Sequence, residues 1–141
     1  MNHSNKPLRI LVVDDSAVSR RLAACTLVRT PYEVSLVESG EQALHFVRNH
    51  HPDVVITDWQ MPGMSGLDLC RTIREKLHCR ETYLILLTSS SSERSIAEAR
   101  AAGTDGHLVK PLDPDELFAQ LSTTRGVLRT RRQLTADNTA Y

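Results

Sequence analysis

The chain has 141 residues, 40% of them hydrophobic and 24% charged, and its acidic and basic side chains balance to a formal net charge of zero. That length suits one domain with a real core, and the composition is that of an ordinary globular protein. No apolar run approaches the roughly 18 residues that a bilayer crossing needs, and "MNHSNKP" lacks the apolar stretch of a signal peptide, so the expectation is a cytoplasmic protein with no membrane partner.

Along the chain, apolar runs alternate with helical periodicity. "LRILVVD" (8–14) is short and Val/Ile-rich, the pattern of a buried strand. Residues 16–29 follow, with Val18, Leu22 and Cys25 at helical spacing as the expected inward face. "YEVSLVE" (32–38) alternates apolar and polar, which predicts a strand at a sheet edge. Ser39 and Gln42 have capping-box spacing and open a helix that runs to about His50, with Leu44 and Val47 inward. "NHH" (49–51) reads as its solvated end.

"DVVIT" (53–57) is apolar on both faces and predicts a third strand. Leu69, Cys70, Ile73 and Leu77 line one side of the next helix. "YLILLT" (83–88) is a fourth strand, and "TSSSSERS" (88–95) is loop-like by composition. A fourth helix covers 93–102 and stops at Gly103. "GHLVK" (106–110) is the fifth and shortest strand. Asp113, Pro114 and Glu116 then give an N-cap, a first-turn proline and a capping-box acid, a strong helix start whose core face is Leu117, Phe118 and Leu121. From Thr123 the pattern weakens, because Gly126 lowers helix propensity and "TADNTAY" looks frayed.

Five strands alternating with five helices specify an α/β doubly wound fold, a parallel sheet covered on both faces. The chain divides by charge at about residue 125. Residues 1–124 hold 13 Lys/Arg against 16 Asp/Glu; residues 125–141 hold four Arg against one Asp. The basic segment reads first as a solvated helix extension, next as the start of a linker to a C-terminal output domain. Its footprint is too small for convincing nucleic-acid binding. Cys25, Cys70 and Cys79 have no metal-ligand spacing and read as buried or half-buried free thiols.

The chemistry gathers at the strand ends. In open α/β sheets, ligands bind beyond the carboxyl ends of the strands. Those ends deliver Asp14 and Asp15, Asp58, Thr88 and Lys110. If the first and third strands are neighbours, their ends lie about 5 Å apart, and three carboxylates share one pocket. Two like charges about 4 Å apart repel by roughly 4 kcal/mol at an effective dielectric near 20. One lysine cannot neutralise three carboxylates. A hard, oxygen-ligated divalent cation can, and Mg²⁺ suits an all-oxygen site.

With "VVDDS", "ITDWQMPGMSGLDL", "LLTS" and "LVKP" in order, the chain resembles the bacterial two-component response-regulator receiver domains from about Leu8 to Leu121. The resemblance implies a flavodoxin-like five-stranded sheet of order 2-1-3-4-5. It implies that Asp58 accepts a phosphoryl group from a sensor histidine kinase or a phosphotransfer protein. Asp15, Asp58 and the Gln60 backbone carbonyl would hold Mg²⁺ directly, with Mn²⁺ as a substitute, and Asp14 would do so through water. Lys110 and Thr88 would contact phosphoryl oxygens. Thr88 and His107 would form the switch, His107 standing where the family usually has Tyr or Phe. The resemblance also implies a cis bond before Pro111, loop shaping by Pro62, Gly63, Gly66 and Pro111, and dephosphorylation tuning from Gln60 and Ser90. Helix four offers a single large apolar side chain, Ile96, so its face with His107 is expected to shift on phosphorylation. Output would pass to a downstream protein or a separate C-terminal domain, and a homodimer formed on phosphorylation stays open. Trp59 has two readings of equal weight, partner contact at an exposed position and simple packing.

Two other functions compete. An Mg²⁺-dependent phosphatase or hydrolase could use a similar sheet, but Gln60 occupies the place where haloacid-dehalogenase-type phosphatases need a second Asp. "GMSGL" supplies only part of G-x-S-x-G, and the first turn has no Gly-rich phosphate loop. A non-phosphorylated adaptor would lack the acidic pair, the acceptor or the lysine, and all are present. The expectation is a phosphoacceptor, with slow self-dephosphorylation and no other enzymatic activity.

Overall fold

Five short apolar runs pair side by side in this chain because each is followed by a helix long enough to carry it back for a parallel strand. The computed structural model describes residues 6–89 and 92–139. In chain order the elements are β1 (Arg9–Val13), α1 (Ala17–Leu27), β2 (Glu33–Val37), α2 (Gly40–His50), β3 (Val54–Asp58), α3 (Gly66–Glu75), β4 (Tyr83–Thr88), α4 (Glu93–Ala101), β5 (Gly106–Val109) and α5 (Pro114–Thr139). The strands form one parallel sheet in the order β2-β1-β3-β4-β5. The alternating run 32–38 is therefore an edge strand, as its pattern predicts, and β3 is buried along its whole length.

Helices cover both faces. Ile10, Val12, Ile56, Ile85 and Leu87 pack beneath Ala23 and Leu27 of α1 and Leu117 and Leu121 of α5. Leu11, Val13 and Val55 pack against Ala43, Leu44 and Val47 of α2 and Leu69, Cys70 and Ile73 of α3. Local signals set the helix starts. Ser16, Ser39, Ser65 and Ser92 each accept a hydrogen bond from a backbone N–H three residues on. The Gln42 side chain accepts from Glu38 N rather than Ser39 N, so the expected capping box reaches back one residue further. Asp113 Oδ1 accepts from Asp115 N at the start of α5.

Two expected faces turn differently. Val18 and Leu22 are 79% and 51% exposed, and Cys25 is exposed. α1 instead buries Ala23 and Leu27, because its inward line runs through residues 20, 23 and 27, at helical spacing but with a charged and a small member. Cys25 is thus not the half-buried thiol expected. Phe118 is 36% exposed, since Leu117 and Leu121 define the buried line of α5 and Phe118 lies about 100° away from Leu117.

The weakening expected from Thr123 does not occur, and α5 crosses position 125 without a break. The buried line continues through Thr124 and Leu128, both at most 1% exposed. Thr124 can face inward because its hydroxyl donates to Gln120 O within the helix. Burying a leucine contributes roughly 1.5–3 kcal/mol, more than the roughly 1 kcal/mol that a helical glycine costs. Beyond Leu128 the helix is tied to the amino-terminal ends of the strands. Arg131 pairs with Asp105, which also holds Arg74, and Arg132 pairs with Asp53.

A Cβ added at Gly126 meets no atom within 4 Å. Gly126→Ala should therefore raise unfolding free energy in urea by about 0.5–1 kcal/mol. Leu128→Ala should lower it by about 2–4 kcal/mol if this turn belongs to the folded unit.

Candidate functional site

The parallel register brings the carboxyl ends of β1, β3, β4 and β5 to one edge of the sheet. β3 ends on Asp58 and β4 on Thr88, while Asp14 and Lys110 are the first residues past β1 and β5. Lys110 Nζ lies 3.1 Å from Asp58 Oδ1 and 3.7 Å from Asp14 Oδ2. One carboxylate oxygen from each of Asp14, Asp15 and Asp58 falls within 4.8 Å of the others. Residues far apart in the chain thus share one pocket, as the strand ends predict.

The three carboxylates differ in environment. Asp14 is 1% exposed and Asp58 8%, while Asp15 is open to solvent. Asp14 Oδ1 accepts from Ser16 N at 3.0 Å, but Asp14 Oδ2 is buried without a hydrogen-bond partner among the described residues. A buried acceptor without a donor is costly. Among the described residues only the Lys110 ammonium pairs with this cluster, so the donor set of Asp14, Asp15 and Asp58 fits a hard divalent cation. Burial pushes the Asp58 carboxyl above its ordinary value of 3.8; the hydrogen bond and charge of Lys110 pull it down, and the Asp14 and Asp15 charges push it up again.

The chain around Asp58 is fixed by its backbone. Thr57 Oγ1 donates to Asp58 O, Trp59 N donates to Leu87 O, and Gly66 N donates to Trp59 O at 2.7 Å. That last bond closes the Pro/Gly-rich loop and brings α3 against the strand end. A Cβ at Gly66 would lie 2.0 Å from Asp58 O, so no other residue fits there without moving the Asp58 backbone. Gly63 has φ 75°, the left-handed turn that lets the loop double back. Pro62 is exposed on the same loop. The Lys110–Pro111 bond is cis, as the resemblance implies.

Thr88 is 6% exposed, and Lys110 N donates to its carbonyl oxygen at 2.8 Å. His107 stands opposite Leu86 in the β4–β5 register. Side chains alternate along a strand, so His107 and Thr88 face the same side of the sheet, the side that Leu86 shares with Ala99 and Ala102 around α4. His107 is partly buried and its carbonyl accepts from Gln120 Nε2. Ile96 is half-buried, and α4 buries only Ala99 fully. Gln60 is exposed beside Asp58. Ser90 lies outside the described residues. Trp59 follows the packing reading, half-buried against Leu67, Leu86, Ala99 and Ala102.

One contact at the site carries no motif signal. Arg20 Nη1 donates to Asp14 O at 2.7 Å, and its Nη2 lies 3.4 Å from Glu38 Oε1. The arginine's place on the inward line of α1 becomes legible only once Ala23 and Leu27 are known to be buried.

With this geometry in view, the likeness to known proteins is extensive. The family model described as "Response regulator receiver domain" matches residues 10–122. The transcriptional regulatory protein ResD of Bacillus subtilis is 35% identical over 138 residues, 98% of this chain and 55% of ResD, so the chain spans about half of that relative. The chemotaxis protein CheY1 of Helicobacter pylori is 36% identical over 121 residues, 84% of this chain and 98% of CheY1. Among solved structures, CheY4 of Vibrio cholerae superposes with a TM-score of 0.78 at 32% identity, covering 84% of this chain and 98% of that one.

Because the Asp58 pKa is raised, the folded protein keeps that proton over a pH range where the unfolded chain has lost it. The group's contribution to stability therefore falls as pH rises from about 3.8 through the folded pKa. In metal-free buffer Asp58→Asn should be more stable than the wild type at neutral pH, and the difference should vanish below that range. Paired urea titrations across pH measure it.

Proposed function

Because the chain belongs to the response regulator receiver domain family, whose role is phosphoacceptor signalling, we propose that Asp58 is the side chain that accepts the phosphoryl group. The observation that carries this reading is the 3.1 Å contact between Lys110 Nζ and Asp58 Oδ1 at the end of β3, beside the unpartnered oxygen of Asp14. An oxygen of Asp58 attacks the phosphorus of a phosphohistidine on a sensor histidine kinase or phosphotransfer protein. A P–O bond forms, the P–N bond breaks, and its electron pair stays on the departing imidazole. The product is an acyl phosphate on Asp58.

Such a transfer depends mainly on positioning and charge compensation. Lys110 supplies one fixed positive charge, and its contact with Asp58 keeps the amine at the reacting atoms. Thr88, at the end of β4, donates its hydroxyl to a phosphoryl oxygen in this reading. Asp15, Asp58 and the Gln60 carbonyl, with Asp14 through water, would hold Mg²⁺ or Mn²⁺, which would supply the remaining positive charge. Gln60 and Ser90 are assigned to tuning the loss of the phosphoryl group.

The signal passes through Thr88 and His107, which share a sheet face with α4. Small residues join that helix to the core, so little buried area opposes its displacement. Residues 1–124 carry the phosphoacceptor, and the α5 extension from 125 onward leads toward a downstream protein or an output domain. ResD, of which this chain spans about half, is named a transcriptional regulatory protein. A homodimer formed on phosphorylation is compatible with the exposed sides of α4 and α5. The reading places the protein in the cytoplasm; among the described residues no helix is long and apolar enough to cross a membrane.

The phosphodonor approaches over α1 in this account. Val18 and Leu22 leave an exposed apolar stripe on the helix that starts two residues after Asp15. A stripe of that kind beside the acceptor suits the apolar face of a partner helix.

Acetyl phosphate and Mg²⁺ should add roughly 80 Da to the intact protein, and the adduct should be absent in Asp58→Ala. A generic phosphate ester should show no sustained turnover. An adduct that persists in Asp58→Ala, or steady hydrolysis of the ester, would refute the assignment.

A further inference from the structure

α1 exposes Val18 and Leu22 yet keeps the side chain of Arg20 only 17% exposed. That inverts the usual preference, because a charged head is costly to shield unless it makes strong hydrogen bonds. The ion pair with Glu38 does not explain it, since Glu38 is 66% exposed and rim pairs contribute little. The shorter contact is the one to the Asp14 carbonyl at 2.7 Å, a charge-assisted bond that is among the stronger kinds.

Asp14 is held at three points. Its N–H donates to Val37 O, its carbonyl accepts from Arg20, and its Oδ1 accepts from Ser16 N. Those three bonds leave Oδ2 buried and facing Lys110 at 3.7 Å. The Val37 bond fixes the residue to the end of β2, and the Ser16 bond fixes the carboxylate to the start of α1. Among the described residues only the Arg20 bond fixes the peptide unit between Asp14 and Asp15, and with it the direction in which Asp15 leaves the strand.

We propose that Arg20 is a positioning residue for cation binding, which by gripping the Asp14 carbonyl sets the orientation of the Asp14–Asp15 carboxylate pair. This rests on reading the three carboxylates as a divalent-cation site. Geometry and electrostatics oppose each other here, which makes the role testable by sign. A guanidinium close to the acidic cluster repels a second cation, so electrostatics alone predicts tighter Mg²⁺ binding once it is removed. Loss of orientation predicts weaker binding. Partners that orient metal ligands from behind commonly contribute 10- to 100-fold in affinity.

The test is calorimetric titration of Mg²⁺ into metal-free protein, with circular dichroism at the same temperature to register folding. Arg20→Ala should weaken binding roughly tenfold. Arg20→Lys keeps a donor and should lie between the two; it carries the test if Arg20→Ala does not fold. Glu38→Gln, which removes the rim pair but leaves the carbonyl bond, should stay within about twofold of the wild type. Wild-type affinity or tighter binding in folded Arg20→Ala overturns the proposal while leaving the cation site intact. A Glu38→Gln loss as large as that of Arg20→Ala also overturns it, because the ion pair would then be the cause. A wild-type protein that takes up no Mg²⁺ removes the site and this inference together.

Discussion

Lys110 stands between two carboxylates that the sheet forces together, and among the described residues its ammonium is the one cation touching both Asp58 and Asp14. The order β2-β1-β3-β4-β5 makes β1 and β3 neighbours, so the residues that end them cannot avoid one another. Lys110 arrives from the far side of β4, whose own last residue, Thr88, lies on the path between. A single ammonium leaves net negative charge in a largely buried pocket. Burial first, and the neighbouring carboxylate charges after it, raise the Asp58 pKa; together with the unpartnered Asp14 Oδ2, that surplus makes the pocket receptive to a divalent ion.

The rest of the structure keeps this strained arrangement from relaxing. Beneath the strand ends, β3 is buried throughout and two apolar layers clamp the sheet, so the carboxylates cannot separate without opening the core. On one side Gly66 lets α3 press against the Asp58 carbonyl, and on the other Arg20 grips the Asp14 carbonyl. At the opposite end of the sheet, Asp105 takes Arg74 from α3 and Arg131 from α5, while Asp53 takes Arg132. The two ends differ in kind. One balances its charges with paired side chains; the other leaves a surplus that a ligand or a modification can use.

Much of this was legible in the sequence because the features were local and repeated. Short Val/Ile/Leu runs each ending near a polar residue, separated by helical periodicity, specify strands, helices and parallel pairing. The site followed, because strand ends in such a sheet meet at one edge. What escaped was the direction in which helices roll. On α1 the apolar residues Val18, Leu22 and Cys25 follow the template better than Arg20, Ala23 and Leu27, yet the second set faces the sheet. The helical continuation of α5 was the first reading of the basic segment, but its buried side escaped for a related reason. Thr124 reads as polar until its hydroxyl is seen bonded within the helix, and Gly126 reads as a breaker until Leu128 is seen buried. The ion pairs that tie down Arg131 and Arg132 span 26 and 79 residues, a separation at which no sequence motif operates.

The central claim is that the convergence of Asp14, Asp15 and Asp58 creates an electrostatic deficit which a divalent cation relieves in the folded state alone. Melting temperature as a function of added Mg²⁺, against potassium chloride of equal ionic strength, measures that relief directly. The account predicts a rise that continues with Mg²⁺ concentration, exceeds the potassium curve, and is lost in Asp58→Asn. Superimposable magnesium and potassium curves in the wild-type protein would contradict it.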